Sequence, residues 1–122
     1  MNQIIQMKLP ASFEELIVYA EAEALYLKLV LQLNKDFGLA NVDLGLHPEI
    51  LPSSLKLVLH ETIFKLIQEK FAEYLNLLYI VDVSEDKIKQ LDGSDILRLS
   101  EEVSFLVLQR EWQKVWYRAK HS

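Results

Sequence analysis

Ile96-Leu97-Arg98-Leu99-Ser100-Glu101-Glu102-Val103-Ser104-Phe105-Leu106-Val107-Leu108, continued by Gln109-Arg110-Glu111-Trp112-Gln113-Lys114-Val115-Trp116-Tyr117-Arg118-Ala119-Lys120, decides the fold class. At roughly 100° per residue, Ile96, Leu99, Val103, Leu106 and Val107 share one helical face. Arg110, Lys114 and Tyr117 continue the same stripe. Phe105, Leu108, Trp112, Val115, Trp116 and Ala119 form a second apolar face almost opposite. A helix opened by Ser94 and reaching about Lys120 is about 40 Å long. Its dry side changes along its length. The first half is expected to pack on its own domain, and the second half calls for an additional surface.

Working outward, residues 12–36 read as another helix. Ser12 and Glu15 form a capping box, and Gly38 suits a left-handed C-terminal cap. Glu14, Glu21, Lys28 and Lys35 recur every seven positions as one narrow polar line, while Ala24 to Leu33 is otherwise almost wholly apolar. Such a helix is central to the domain or lies at a subunit interface. Residues 37–52 carry two of the three glycines and two of the three prolines, and read as a long crossover loop.

A further helix is expected over 54–81, after Pro52, with Ser53 or Ser54 as its cap. Its dry face reads Ile63, Phe64, Ile67, Phe71, Tyr74, Leu75 and Leu78. The β-branched run near Tyr79–Val83 leaves an α+β alternative, a small hairpin of residues 4–9 with 78–83. Ser84 caps a short helix over 85–91, its acids in the first turn as the helix dipole prefers. The expected architecture is all-α: three long helices plus one short one, in a single domain spanning residues 1–122.

Composition supports this. A chain of 122 residues, 51% hydrophobic and 25% charged, has the makings of one packed domain. It holds no cysteine, which excludes disulfides and thiolate metal sites. Residues 1–6 lack the basic start and apolar run of a signal peptide, and Lys28, Gln32 and Asn76 interrupt the longest apolar stretches. A cytoplasmic protein with no membrane segment is expected. The net charge of −5 disfavours polyanion binding. Charge is unevenly spread, because Arg110, Lys114, Arg118 and Lys120 cluster near the end.

Most catalytic signatures are excluded by inspection. Gly38, Gly45 and Gly93 form neither a dinucleotide-binding pattern nor a phosphate loop. His60-Glu61-Thr62-Ile63-Phe64 places Phe64 where a zinc helix needs its second histidine. Asp82, Ser84 and Asp86 begin like a calcium loop, which Lys87 and Gly93 then break. His47 and Glu49 are too few for a metal site. No catalytic residue, cofactor or metal ligand is assigned.

Two polar residues stand out. His60 and Arg110 each lie on a dry stripe, where an unpaired polar group costs about 1–3 kcal/mol. A carboxylate such as Glu21, Glu23, Glu61 or Asp82 suits Arg110. If His60, Arg110 and one acid met, they would bind a small anion or act in acid–base chemistry. The interleaving of Trp112, Trp116 and Tyr117 with Arg110 and Lys114 suits a protein interface, since Trp, Tyr and Arg are the enriched anchors. It suits single-stranded nucleic acid less well. The leading expectation is a non-enzymatic interaction protein, self-associating as a homodimer or docking a protein partner.

Overall fold

The computed structural model describes residues 7–121. It contains α1 (Phe13–Ala22), α2 (Tyr26–Leu39), α3 (Pro52–Glu69), α4 (Phe71–Val81), α5 (Glu85–Lys89) and α6 (Ile96–His121). No strand occurs among the described residues. The all-α expectation therefore holds, while the count of three long helices does not. The hairpin alternative fails because Leu78–Val81 complete α4 and Lys8–Leu9 are not in a strand; residues 4–6 lie outside the described residues.

Both extra helices arise from breaks that no glycine or proline announces. The first lies at Glu23-Ala24-Leu25. Leu25 N donates to Ala20 O at 2.8 Å and Ala24 N to Glu21 O at 3.1 Å, the paired bonds of a Schellman termination. Ala24 holds the left-handed position at φ 56°, and buried Leu25 packs back beside Ala20. Alanine is strained there, and its exposed methyl gains little packing. Ala24→Gly is therefore expected to stabilise the protein by about 0.5–1 kcal/mol, after glycine's greater unfolded-state entropy is subtracted. Urea unfolding measures this, and a midpoint unchanged or lowered would contradict it.

The second break is a single residue. Lys70 leaves helical geometry at φ −142°, ψ 62°, yet its N–H still bonds Leu66 O and its carbonyl accepts from Tyr74 N. α4 is thereby rotated against α3. Tyr74, Leu77 and Val81 turn inward, while Phe71 and Leu75, expected on the dry face, turn out to solvent.

Other boundaries move by local chemistry. Gly38 lies inside α2 rather than capping it, and α5 is shorter than 85–91. Ser53 and Ser54 lie within α3, which Pro52 opens. Asp95, not Ser94, caps α6, its Oδ1 accepting from Leu97 N at 3.1 Å. Ser12 and Ser84 cap α1 and α5 as expected. The crossover loop is pinned by Asn34, whose side-chain amide makes two 2.9 Å bonds to the backbone of buried Leu46.

α6 is the axis of the fold and touches α1, α2, α3 and α4. Its first half lies along α3. The second apolar face expected to need an additional surface finds it within the chain. Trp112 and Trp116 are 1% and 7% exposed. Both belong to the core, together with Leu16, Leu29, Leu33 and Phe37.

Candidate functional site

The stripe on α6 that turns from apolar to basic has a local cause. Arg110 and Lys114 stand one turn apart facing the carboxyl end of α4, where carbonyls lack helical partners and the dipole favours cations. Arg110 Nε donates to Asp82 O at 3.1 Å, and its Nη2 to Asp82 Oδ2 at 3.1 Å. Lys114 Nζ reaches Ile80 O at 3.4 Å. Among the candidates, Asp82 and not Glu21 supplies the carboxylate. Glu21 is exposed on α1.

Lys114 also enters the densest polar cluster of the interior. Its Nζ donates to Asp36 Oδ2 at 2.9 Å and to Glu111 Oε1 at 3.3 Å. Gln32 Nε2 donates to the same Asp36 oxygen at 3.0 Å, and Arg118 Nη1 donates to Gln32 Oε1 at 2.9 Å. Asp36 and Glu111 are buried, at 4% and 0% exposure. Burial, reinforced by Asp36, pushes the Glu111 carboxyl up to about 9. Burial acts on Asp36 as well, but hydrogen bonds from Glu111, Lys114 and Gln32 outweigh it and hold that carboxyl below its ordinary value. As a carboxylate, Glu111 Oε2 would have no donor among the described residues. Hydrogen bonding with Asp36 favours the protonated form of Glu111. The trio of Asp36, Glu111 and Lys114 is then neutral overall: one acid protonated, one anion, one ammonium.

Sequence reading missed Asp36 and Glu111 as a pair. A carboxylate flanked by Arg110 and Trp112 on a mostly buried helix was the available signal. Its partner lies on another helix, which periodicity does not report.

His60 sits elsewhere. Its Nε2 is 2.9 Å from Ser100 Oγ and 3.3 Å from Leu97 O. The Ser100 hydroxyl donates to Leu97 O at 2.8 Å, so Nε2 carries the hydrogen and donates to the serine oxygen. Ser100 is wholly buried and inaccessible as a nucleophile. Arg110 leaves α6 ten residues beyond Ser100, roughly 15 Å along the helix axis. The expected convergence of His60 with Arg110 and an acid does not occur.

His60 instead lines a cleft of ≈ 790 Å³ between α1, α3 and α6. Leu59 and Leu108 are buried at its base, and Phe13, Leu57, Leu91 and Phe105 contribute apolar walls. Two of its rim carboxylates are paired, Glu14 with Lys56 at 3.2 Å and Glu102 with Arg98 at 3.0 Å.

The basic end of α6 is likewise committed to internal contacts. Lys120 bonds Glu23 and lies over the Trp116 ring, and Arg118 bonds Gln32. Of the residues expected to form an interface, Trp112 and Trp116 are corrected to core, and Arg110 and Lys114 to intramolecular ties. Tyr117 remains half exposed at 49%, stacked on His121.

Among the described residues, α4 carries an exposed apolar face that no other helix covers. Phe71, Leu75 and Tyr79, at i, i+4 and i+8, are 54%, 51% and 83% exposed. Ala72 and Asn76 flank them, and Glu73 is the helix's one charged residue. The exposed leucines of α2, Leu27 and Leu31, are by contrast interspersed with Lys28 and Lys35.

No protein-family model, curated protein or solved structure matches this chain. No helix of the described residues is long and apolar enough to cross a membrane, and no group of three or more metal-binding side chains occurs among them.

Proposed function

We propose that this chain is a non-enzymatic helical interaction protein that associates with itself. The observation carrying the reading is the outer face of α4. A helix apolar around most of its circumference is ordinarily buried on all sides, yet this one leaves two aromatic rings and a leucine in water. Contiguous exposed apolar surface of this kind marks association sites. The polar clusters supply no competing chemistry: the most perturbed carboxyl is sealed in the core, and the histidine's hydroxyl partner is inaccessible.

Sedimentation equilibrium over a range of concentrations tests the reading. The mass is expected to rise from 14.2 kDa towards twice that value. Tyr79→Glu, which places a charge on the most exposed ring position, is expected to hold it at the monomer. A wild-type protein that stays monomeric up to concentrations on the order of 1 mM, the limit of weak association, would overturn self-association.

A further inference from the structure

We infer that the cleft between α2 and α6 binds a small organic phosphate. Lys28, Lys35 and Arg118 hold the phosphate, and its apolar body lies on Leu31, Val115 and Ala119. The cleft encloses ≈ 470 Å³, room for a small molecule. Gln32 completes its lining, which contains no carboxylate. Only α2 and α6 contribute, so the site is separate from the outer face of α4 and independent of the self-association proposed above.

The sequence and one helix break together place the cations. Lys28 and Lys35 are the last two members of the seven-residue polar line that begins with Glu14 and Glu21. The termination at Ala24 sorts that line by sign, leaving the two acids on α1 and the two lysines on α2. The lysines stand two turns apart, about 10 Å along the axis. Leu31 and Gln32 lie between them on the same face. Arg118 lines the cleft from α6.

These charges are not neutralised within the chain. Among the described residues, no carboxylate pairs with Lys28 or Lys35. Arg118 bonds Gln32, a neutral amide, with a single N–H and keeps its other donors. Asp36, joined to the cleft through Gln32, is 4% exposed and already tied to Lys114. Three cations therefore share one cleft in a chain of net charge −5. A cleft lined by one sign of charge concentrates the opposite ion. A phosphate monoester suits it better than a carboxylate, with about 1.5–2 negative charges at neutral pH and three acceptor oxygens. The guanidinium fork and two ammonium groups match those oxygens. Val115, 2% exposed, gives the organic part an apolar floor.

A chemical-shift titration of the backbone amides with phenyl phosphate at low ionic strength tests the site. Saturable shifts centred on Leu31, Gln32 and Val115 are expected, with a Kd below about 1 mM. Lys28→Gln and Lys35→Gln are each expected to weaken binding about fivefold, the effect of one charge a few ångströms away near water. Both side chains are exposed and unpaired among the described residues, so neither change threatens the fold. Lys65→Gln removes the same charge from an exposed position on α3 and is expected to change Kd less than about twofold. Inorganic phosphate and benzoate are each expected to bind at least about threefold more weakly than phenyl phosphate, lacking the apolar body or the second charge. Absence of saturable shifts, or an equal loss in Lys65→Gln, would overturn the site. Inorganic phosphate binding as tightly would overturn the organic body, and benzoate binding as tightly would overturn the phosphate.

Discussion

Replacing Glu111 by Gln is expected to stabilise the protein by on the order of 2–3 kcal/mol at neutral pH and to flatten its stability between about pH 5 and 9. The cause is proton linkage. Glu111 is pushed up to about 9 in the folded chain, from an ordinary value of 4.5. Between those values the folded state holds a proton that the unfolded state has released. Stability falls with pH wherever the folded state binds more protons. The contribution is therefore complete below about pH 4.5 and is lost progressively as pH climbs towards 9. Each tenfold gain in proton affinity is worth about 1.4 kcal/mol, and coupling to Asp36 reduces the sum. Glutamine keeps the shape, offers an N–H to Asp36 where the protonated acid offers O–H, and accepts from Lys114 with its carbonyl. It has no proton to lose. Asp36 works in the opposite direction and in a lower window: its carboxyl is held below 3.8, so its contribution is lost only as pH falls beneath that value. Urea unfolding of the wild type and Glu111→Gln at pH 5, 7 and 9 measures the difference. Parallel pH profiles for the two proteins would show that Glu111 does not carry this proton.

Removing the cation of the same cluster is expected to have the largest destabilising effect. Lys114→Met leaves Asp36, 4% exposed, without the ammonium 2.9 Å away. Breaking one half of a buried pair costs about 3–5 kcal/mol, chiefly because the remaining charge is left in a poorly solvating interior. A second loss comes from the α4 end, where Ile80 O loses its donor. Removing both charges avoids the penalty, so Lys114→Met with Asp36→Leu is expected to recover much of the stability. Denaturant unfolding of the two single variants and the double variant forms a double-mutant cycle. Strictly additive losses would show that the two groups do not interact. Asp36 sits on α2, Lys114 on α6 and Ile80 on α4, so the cluster fixes the relative positions of three helices, and Lys114→Met loosens all three.

These effects are invisible to helical periodicity for a definable reason. Periodicity reports which side of a helix is dry. It does not say which residue from another helix stands opposite. Lys114 and Asp36 are separated by 78 positions. On the sequence, Lys114 reads as an interruption of an apolar stripe, and Asp36 as the end of a helix. The same limit misplaced the tryptophans. Trp112 and Trp116 repeat at helical spacing on a second face, which shows that the face is buried without showing against what. The described fold places α1 and α2 there.

The two helix breaks escape a sequence reading for a different reason. Glycine and proline are the helix stops a sequence displays most openly, and neither Ala24 nor Lys70 is either. Ala24 accepts a left-handed backbone because Leu25 gains burial against Ala20. Lys70 leaves helical geometry for one residue so that Tyr74, Leu77 and Val81 reach the core. Tertiary burial outweighs a local preference worth about 1 kcal/mol or slightly more. The second break also exposes Phe71 and Leu75, which a continuous helix would have kept on its dry face.

Amino-acid pattern alone determined that the chain is helical. It also located the caps at Ser12 and Ser84, the long crossover, and the need of Arg110 for a carboxylate, since each depends on neighbours within a turn or two of helix or on the chemistry of one side chain. Tertiary structure decided the rest. It turned the aromatic end of α6 into core, joined Asp36 and Glu111 through Lys114 in one buried cluster, and left the outer face of α4 in water. Each of these is a contact, or the lack of one, between segments far apart in the chain, and its energy depends on burial that only the assembled fold creates.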